Sequence, residues 1–310
     1  MDVSIIMINY NTYELTKNAI ESVINYTSSI NYEIILIDNN SPDKSGDELK
    51  NYFGEKITYI QAGENLGTSK SFNKGLEMTS GKYILWLNTD ILIKDNFIYK
   101  LFVFMEKNEQ CGICGGNLVD FNNKPAHSFL KFLPSLKSVK KNLGLFNIVK
   151  NKLFKNHIKH EYNFSDKPLE VGYITGADMM IRRTVIDRIG GFDEDIFMYA
   201  EETEFTFRMK KSTDYKVFSV PEAVMQHLEG GSFGAAIEFN EWKFTTKLNG
   251  DCVYFKKCYG QEAMFKYLRI LKRGYSKLAK INKFLGKNKK SEIFEKSRNI
   301  VIAKIMECNQ

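Results

Sequence analysis

The chain opens without an apolar run fit for a membrane or a leader: the first, Val3 to Ile8, falls far short of the roughly 20 residues a spanning helix needs. No basic residue precedes Lys17, so the charged start of a secretory signal is missing too, and a cytoplasmic location is expected. Cysteine is scarce, with five in 310 residues, an odd number scattered along the chain, which fits a reducing compartment better than a disulfide framework. Cys111 and Cys114 form a C-x-x-C, but no second pair and no nearby histidine completes a zinc site, and the pair reads as core. Internal repeats and low-complexity linkers are absent. Acids are missing altogether from Phe121 to His160, which carries nine lysines. Residues 251–310 hold fifteen Lys and Arg against five Asp and Glu, a balance of +10, so the rest of the chain sums to −3 of the total +7. Such a split admits an anionic membrane surface or nucleic acid as partner; no nucleic-acid reading motif accompanies it.

What is present is ordinary globular material, 43% hydrophobic and 26% charged, enough for one large domain or a domain with an appendage. Val3–Asn9 (VSIIMIN) and Tyr32–Asp38 (YEIILID) read as buried strands, with Thr12–Tyr26 a helix between them. Asp47–Phe53 then reads as a short helix, Ile57–Ala62 as a strand, Ser69–Thr79 as a helix, and Tyr83–Lys94 (YILWLNTDILIK) as a fourth strand. Strand and helix alternate four times in ninety residues, which predicts a mostly parallel sheet with helices on its faces. Ligands collect beyond the carboxyl ends of such strands. Asp38 and Asp90 both stand where an apolar strand runs out; each is a turn or helix-cap acid, or a ligand-facing acid on a shared rim. Further on, Glu170–Arg183 predicts one or two strands, Tyr199–Lys211 a helix opening in acids, and Lys216–Val220 another strand. Glu201, Glu202 and Glu204 suit the positive end of a helix dipole, yet three carboxylates so close repel one another, and a raised pKa would make one of them a general base.

Seven segments, IMINYN (6–11), ILIDNNS (35–41), ENLGTSKSFNKGL (64–76), ILWLNTD (84–90), GADMMIRR (176–183), GGFDEDIFMYAEETEFTFR (190–208) and HLEGGSFG (227–234), resemble in order and spacing family 2 glycosyltransferases of the GT-A fold. The resemblance is to the rhamnosyltransferase-like group of bacterial surface-polysaccharide biosynthesis, and it covers about three quarters of the chain, Val3 to Gly234. It implies an α/β fold with a Rossmann-like, mostly parallel central sheet flanked by helices, and a basic helical C-terminal extension. The expected divisions are a catalytic domain over 1–250 and the extension over 251–310. Within the first, 1–120 would bind the nucleotide sugar, 121–169 would be a basic insertion, and 170–250 would carry the acceptor and catalytic half.

Carried over position by position, the resemblance puts a UDP- or dTDP-sugar above the strand ends. Asp38 would accept a hydrogen bond from the pyrimidine, and Asn9, Tyr10 and Asn11 would pack on the base. Asn65, Gly67 and Asn73 would stand close to ribose and phosphate. Asp90 matches the last acid of a D-x-D motif that binds a divalent cation, Mn²⁺ or Mg²⁺, on the diphosphate. This chain departs from that motif, with Asn88 at its first position, so one carboxylate is missing. His227 matches a histidine that reaches the metal or the diphosphate, and imidazole favours Mn²⁺ over Mg²⁺. Glu202 matches the second acid of the base motif, with Glu where Asp is usual; the longer side chain leaves Glu201 a rival. Asp178 would contact the sugar, and Arg208 could pair with the acids.

The reading that follows is an inverting transferase acting on a glycan or lipid-linked oligosaccharide acceptor. Ser135–Phe154 and Tyr267–Lys304 have basic amphipathic patterns that fit core packing, an oligomer interface, or peripheral contact at the inner face of the cytoplasmic membrane. A sugar nucleotidyltransferase would need a glycine-rich basic loop after the first strand, and Asn9–Glu14 offers none. A catalytically inactive nucleotide-sugar or membrane-binding scaffold stays open, because Asn88 and the Glu of the base motif depart from the family pattern.

Overall fold

Isoleucine, leucine and valine crowd the predicted strands so densely that both faces of each must be covered, the condition under which parallel strands form. The computed structural model describes residues 1–143, 161–228 and 239–309. Their contacts divide them into two units, one holding 1–133, 161–197 and 201–228, the other 134–143, 198–200 and 239–309.

The first unit is built on a nine-stranded sheet. In chain order its strands are β1 (Val3–Asn9), β2 (Tyr32–Asp38), β3 (Thr58–Gln61), β4 (Tyr83–Leu87), β5 (Ile91–Leu92) and β6 (Cys111–Val119), followed by β8 (Leu169–Glu170), β10 (Asp178–Arg182) and β11 (Lys216–His227). The spatial order is β3-β2-β1-β4-β10-β6-β11-β5, with β8 also on β11. Strands β1, β2, β3, β4, β6 and β11 run one way; β10, β5 and β8 run against them. The sheet is therefore mostly parallel, with one reversed strand at its centre, and helices flank it. A separate two-stranded ribbon pairs β7 (Phe129–Leu130) with β9 (Tyr173–Ile174).

Three features depart from the sequence-based expectation. The apolar stretch 83–94 is two strands, because the chain leaves the β1–β4 ladder after Leu87 and Ile91–Leu92 pairs instead with the end of β11. Asn88, Thr89 and Asp90 occupy the break. The acid-rich helix begins at Glu201, because Tyr199 and Ala200 have φ of 69° and 76°, left-handed values that no helix continues through. Strand β6, wholly buried, has no counterpart in the predicted elements: its glycines carry no strand signal. A Cβ on Gly116 would stand 2.3 Å from the Ala223 carbonyl oxygen, so the close approach of β6 and β11 requires a residue without a side chain.

Register places the functional candidates. Asn9 pairs with Asp38 at the carboxyl ends of β1 and β2. Asp178 starts the reversed strand opposite Leu87, and His227 ends β11 opposite Ile91. Asp38, the 88–90 break, Asp178 and His227 thus share one edge of the sheet.

The second unit is helical: Leu136–Asn142, Glu241–Tyr259, Gln261–Phe284 and Asn288–Glu307. Ser135 caps the first of these with a capping box to Ser138. Of the predicted helix 135–154, residues 144–154 lie outside the described residues, as do 229–234 of the histidine-containing motif. All five cysteines are free thiols, Cys111 and Cys114 among them, buried on β6.

Candidate active site

The edge begins with a closed polar net. Asn9 is fully buried; its Nδ2 donates to Asp38 Oδ1 at 2.8 Å, to Ser45 Oγ at 2.9 Å and to Ser41 Oγ at 3.1 Å, while its Oδ1 accepts from the Thr12 and Thr16 hydroxyls. Asp38, 1% exposed, accepts in addition from the Ser41 N–H and hydroxyl. Gly46 lets this happen, since a Cβ there would sit 2.2 Å from Asp38 Cγ. The net fastens the turn after β2 to the end of β1. Asn11, at φ 55°, joins it by donating its N–H to Ser41, and Tyr10 beside it is exposed. Two of the three donors fall on Asp38 Oδ1, so Oδ2, bonded only by the Ser41 N–H, keeps an acceptor position.

A second net lies next to the first. Asn39 donates to Asn65 Oδ1 at 2.9 Å and accepts from the Leu66 N–H and the Ser71 hydroxyl. Asn65 Oδ1 also accepts from the Gly67 N–H. Gly67, at φ 72°, packs so close to the Phe197 carbonyl that a Cβ would stand 2.3 Å from its oxygen. Asn73 exchanges hydrogen bonds with the backbone of Phe192, 119 residues away, and donates to Glu194. Phe192 stacks on Phe72 with centroids 4.1 Å apart and meets Trp86 and Phe205 edge-on. Asn73 is thus the pin of the 190–197 loop. Asn39 was not singled out as a site residue in the sequence; its signal was membership of the segment ILIDNNS, 35–41.

The acid-rich helix Glu201–Ser212 follows that loop. Glu204, 2% exposed, is held by Arg208 through two contacts of 2.7 and 2.9 Å, and the same guanidinium donates to the Ile189 and Gly191 carbonyls. Arg208 and Glu204 therefore set the turn into the loop. Glu201 differs: it is 4% exposed and its Oε2 has no hydrogen-bond partner among the described residues. Burial, then the charge of Glu202 beside it, holds its carboxyl well above the ordinary range, so Glu201 keeps its proton to higher pH than an exposed glutamate does. Glu202 is the more exposed of the two.

The remaining acids gather around the break after β4. Asp90 Oδ1 lies 3.2 Å from His227 Nε2, both side chains mostly buried, and the Asp90 carbonyl accepts from the Leu228 N–H. Asn88 is anchored through its N–H to the Ala177 carbonyl. Asp178 is fully buried; one oxygen accepts from the Gly116 N–H and the other has no partner among the described residues. Burial pushes its carboxyl up to about 7, against the opposing pull of the Gly116 N–H and of nearby His227. Asp90 and His227 offer one oxygen and one nitrogen donor, which suits a divalent cation that completes its shell from a diphosphate and water. Among the described residues no group of three or more His, Cys, Asp and Glu makes a complete protein cage.

The sheet with its reversed central strand and its acids along one edge defines a GT-A fold, and a solved structure bears this out: the crystal structure of GalNAc-T7 with UDP, GalNAc and Mn²⁺ matches with a TM-score of 0.57 at 15% identity, over 84% of this chain and 51% of that one. The profile of glycosyl transferase family 2 matches residues 4–190, more than half of the chain, and the chain belongs to that family. Relatives include the low-salt glycan biosynthesis hexosyltransferase Agl10 of Haloferax volcanii, 27% identical over 68% of this chain and 62% of that protein. Another is the putative teichuronic acid biosynthesis glycosyltransferase TuaG of Bacillus subtilis, 29% identical over 43% of this chain and 54% of the relative. The match thus spans less than two thirds of the length of either relative.

Proposed function

We propose that the chain transfers a sugar, with inversion, from a UDP- or dTDP-sugar to a glycan or lipid-linked sugar acceptor in the assembly of a surface glycan. The observation that carries this reading is the sheet edge itself, where Asp90 and His227 meet at 3.2 Å on one side and a helix opening in Glu201 and Glu202 follows a pinned loop on the other. The family membership supplies the reaction class, and the glycan and teichuronic acid named for the two relatives support the polymer class.

In this mechanism Glu202 is the general base. It takes the proton of the acceptor hydroxyl as that oxygen attacks the anomeric carbon from the face opposite the leaving diphosphate, and a single displacement inverts the configuration. Glu201, buried and raised above the ordinary carboxylate range, holds its proton to higher pH, which favours the more exposed Glu202 as the acceptor of that proton. Asp178, in its neutral form, can donate a hydrogen bond to a sugar hydroxyl. Asn9, Asp38, Asn65 and Asn73 act by shape: their hydrogen bonds hold the 9–11, 38–41, 65–67 and 190–197 turns against which base, ribose and phosphate would lie. Asp90 and His227 would hold a divalent cation, which when bound supplies positive charge against the diphosphate.

Calorimetric titration with UDP and dTDP, each with and without Mn²⁺, tests the reading. Binding that needs Mn²⁺ and is lost in Asp90→Ala supports it and identifies the nucleotide. No binding of either nucleotide under any of the conditions would overturn it in favour of a scaffold.

A further inference from the structure

The helix Gln261–Phe284 has two unlike faces. Its buried face carries Met264, Tyr267, Leu268, Leu271 and Leu278, with the Tyr267 hydroxyl donating to half-buried Asp251. Its outer face is basic: the helix carries seven Lys and Arg and the residues after it, up to Ser291, three more, with no acid from Ala263 to Ser291 and all ten exposed. At 24 residues and about 1.5 Å per residue, the stripe extends for about 36 Å.

At its end the chain turns back into the helix Asn288–Glu307. The turn is rigid. Leu285 and Gly286 donate to the Ile281 and Lys283 carbonyls, Lys287 donates to Asn282, Gly286 takes φ 68°, and the Ser291 hydroxyl ties the second helix to the Ala279 carbonyl. This well-bonded turn leaves two large apolar side chains outside, Phe284 at 91% exposure and Leu285 at 56%. Lysines flank them on both sides, Lys280 and Lys283 before, Lys289 and Lys290 after, all exposed.

We propose that this turn and the basic face leading to it form a docking surface for an anionic lipid bilayer, with Phe284 and Leu285 entering the headgroup region and the lysines meeting lipid phosphates. Two features of the surface, its positive charge and its exposed apolar tip, select this occupant. A second copy would bring the same ten positive charges against it. Nucleic acid would satisfy the charge but offer nothing apolar to two exposed side chains. A bilayer answers both, and an apolar anchor combined with a basic patch is the pairing that gives stable peripheral attachment. No helix among the described residues is long and apolar enough to cross a membrane, so the contact is one of surface attachment. The inference stands apart from the chemistry of the sheet edge.

The test is sedimentation of the purified full chain with vesicles of phosphatidylcholine alone and of phosphatidylcholine with phosphatidylglycerol, at low and high salt. The expected result is salt-sensitive binding to the anionic vesicles, at least about tenfold tighter than to the neutral ones. The double variant Phe284→Ser, Leu285→Ser should lose roughly tenfold in that binding; both side chains are exposed, so its circular dichroism should match wild type. Lys280→Glu with Lys283→Glu should lose as much or more. Phe284→Trp should show a blue-shifted emission in its difference spectrum with wild type, on anionic vesicles only. Equal binding to neutral vesicles would overturn the proposal. So would serine variants that bind like wild type without a tryptophan shift, or tighter binding to a DNA duplex than to the anionic vesicles, either of which would mark a surface for polyanions in general.

Discussion

Two regions of the same sheet edge handle buried polar groups in opposite ways. Around β1 and β2, Asn9 and Asp38 are as buried as any core leucine, yet each polar atom has a partner: five hydroxyl or amide groups converge on them. Around the break after β4 and the start of the helix 201–212, Asp178 and Glu201 are equally buried, and each keeps one carboxylate oxygen without a partner among the described residues. Burial is the same; satisfaction is not. A satisfied net rigidifies, whereas an unsatisfied carboxyl in low dielectric is costly to keep and stands ready to bond a ligand. The first region is the frame, and the second is where chemistry is to be expected.

The largest effect should come from the second region. Glu202→Gln should lower transfer by roughly 10²–10⁴-fold, about 3–5 kcal/mol of barrier, with nucleotide affinity nearly intact in calorimetry. A variant as active as wild type would move the base elsewhere. The frame should answer in stability: Asn9→Ala removes one of the three donors on the buried Asp38 carboxylate and the acceptor shared by two threonine hydroxyls, and urea unfolding should show a loss of about 3 kcal/mol. A loss below half of that would blur the distinction drawn above. Asp90→Ala should then weaken Mn²⁺-dependent nucleotide binding by about tenfold or more while leaving the unfolding midpoint close to wild type, and unchanged binding would remove its assigned role.

The smallest expected effect is a slope. Glu201 has a folded-state pKa raised above the unfolded value, so the folded state holds its proton longer, and stability falls as pH rises from the ordinary carboxylate range through the raised value. Glu201→Gln removes that titration. Thermal unfolding of the variant across pH 4–8 should fall less steeply than wild type, and its advantage should be greatest at the alkaline end. Parallel curves for the two proteins would contradict the buried, protonated state.

Much of the frame was legible in the sequence. Strands β1 and β2 fell within the predicted limits, because a run such as IILI has no stable place except a buried strand. The glycine-rich strand β6 escaped notice because three glycines give neither alternation nor β-branched bulk; only its neighbours, Ala223 and Phe97 against Gly116, show why the glycines are there. The break at Asn88 was equally hidden. Apolar residues continue on both sides of it, and the change of pairing partner from β1 to β11 is a long-range choice.

For the site, the sequence determined which residue types stand at the strand ends: acids after β2 and β4, a histidine at the end of β11, a cluster of glutamates at a helix start. Local patterning suffices for that, since strand and helix periods are set by near neighbours. Which of these carboxylates is bonded and which is left open was decided only by tertiary structure. Asn9 meets Asp38 across 29 positions, Asn73 pins Phe192 across 119, and the Glu201 carboxyl is raised because the fold buries it beside Glu202. Hydrogen-bond partners and dielectric come from residues distant in the chain.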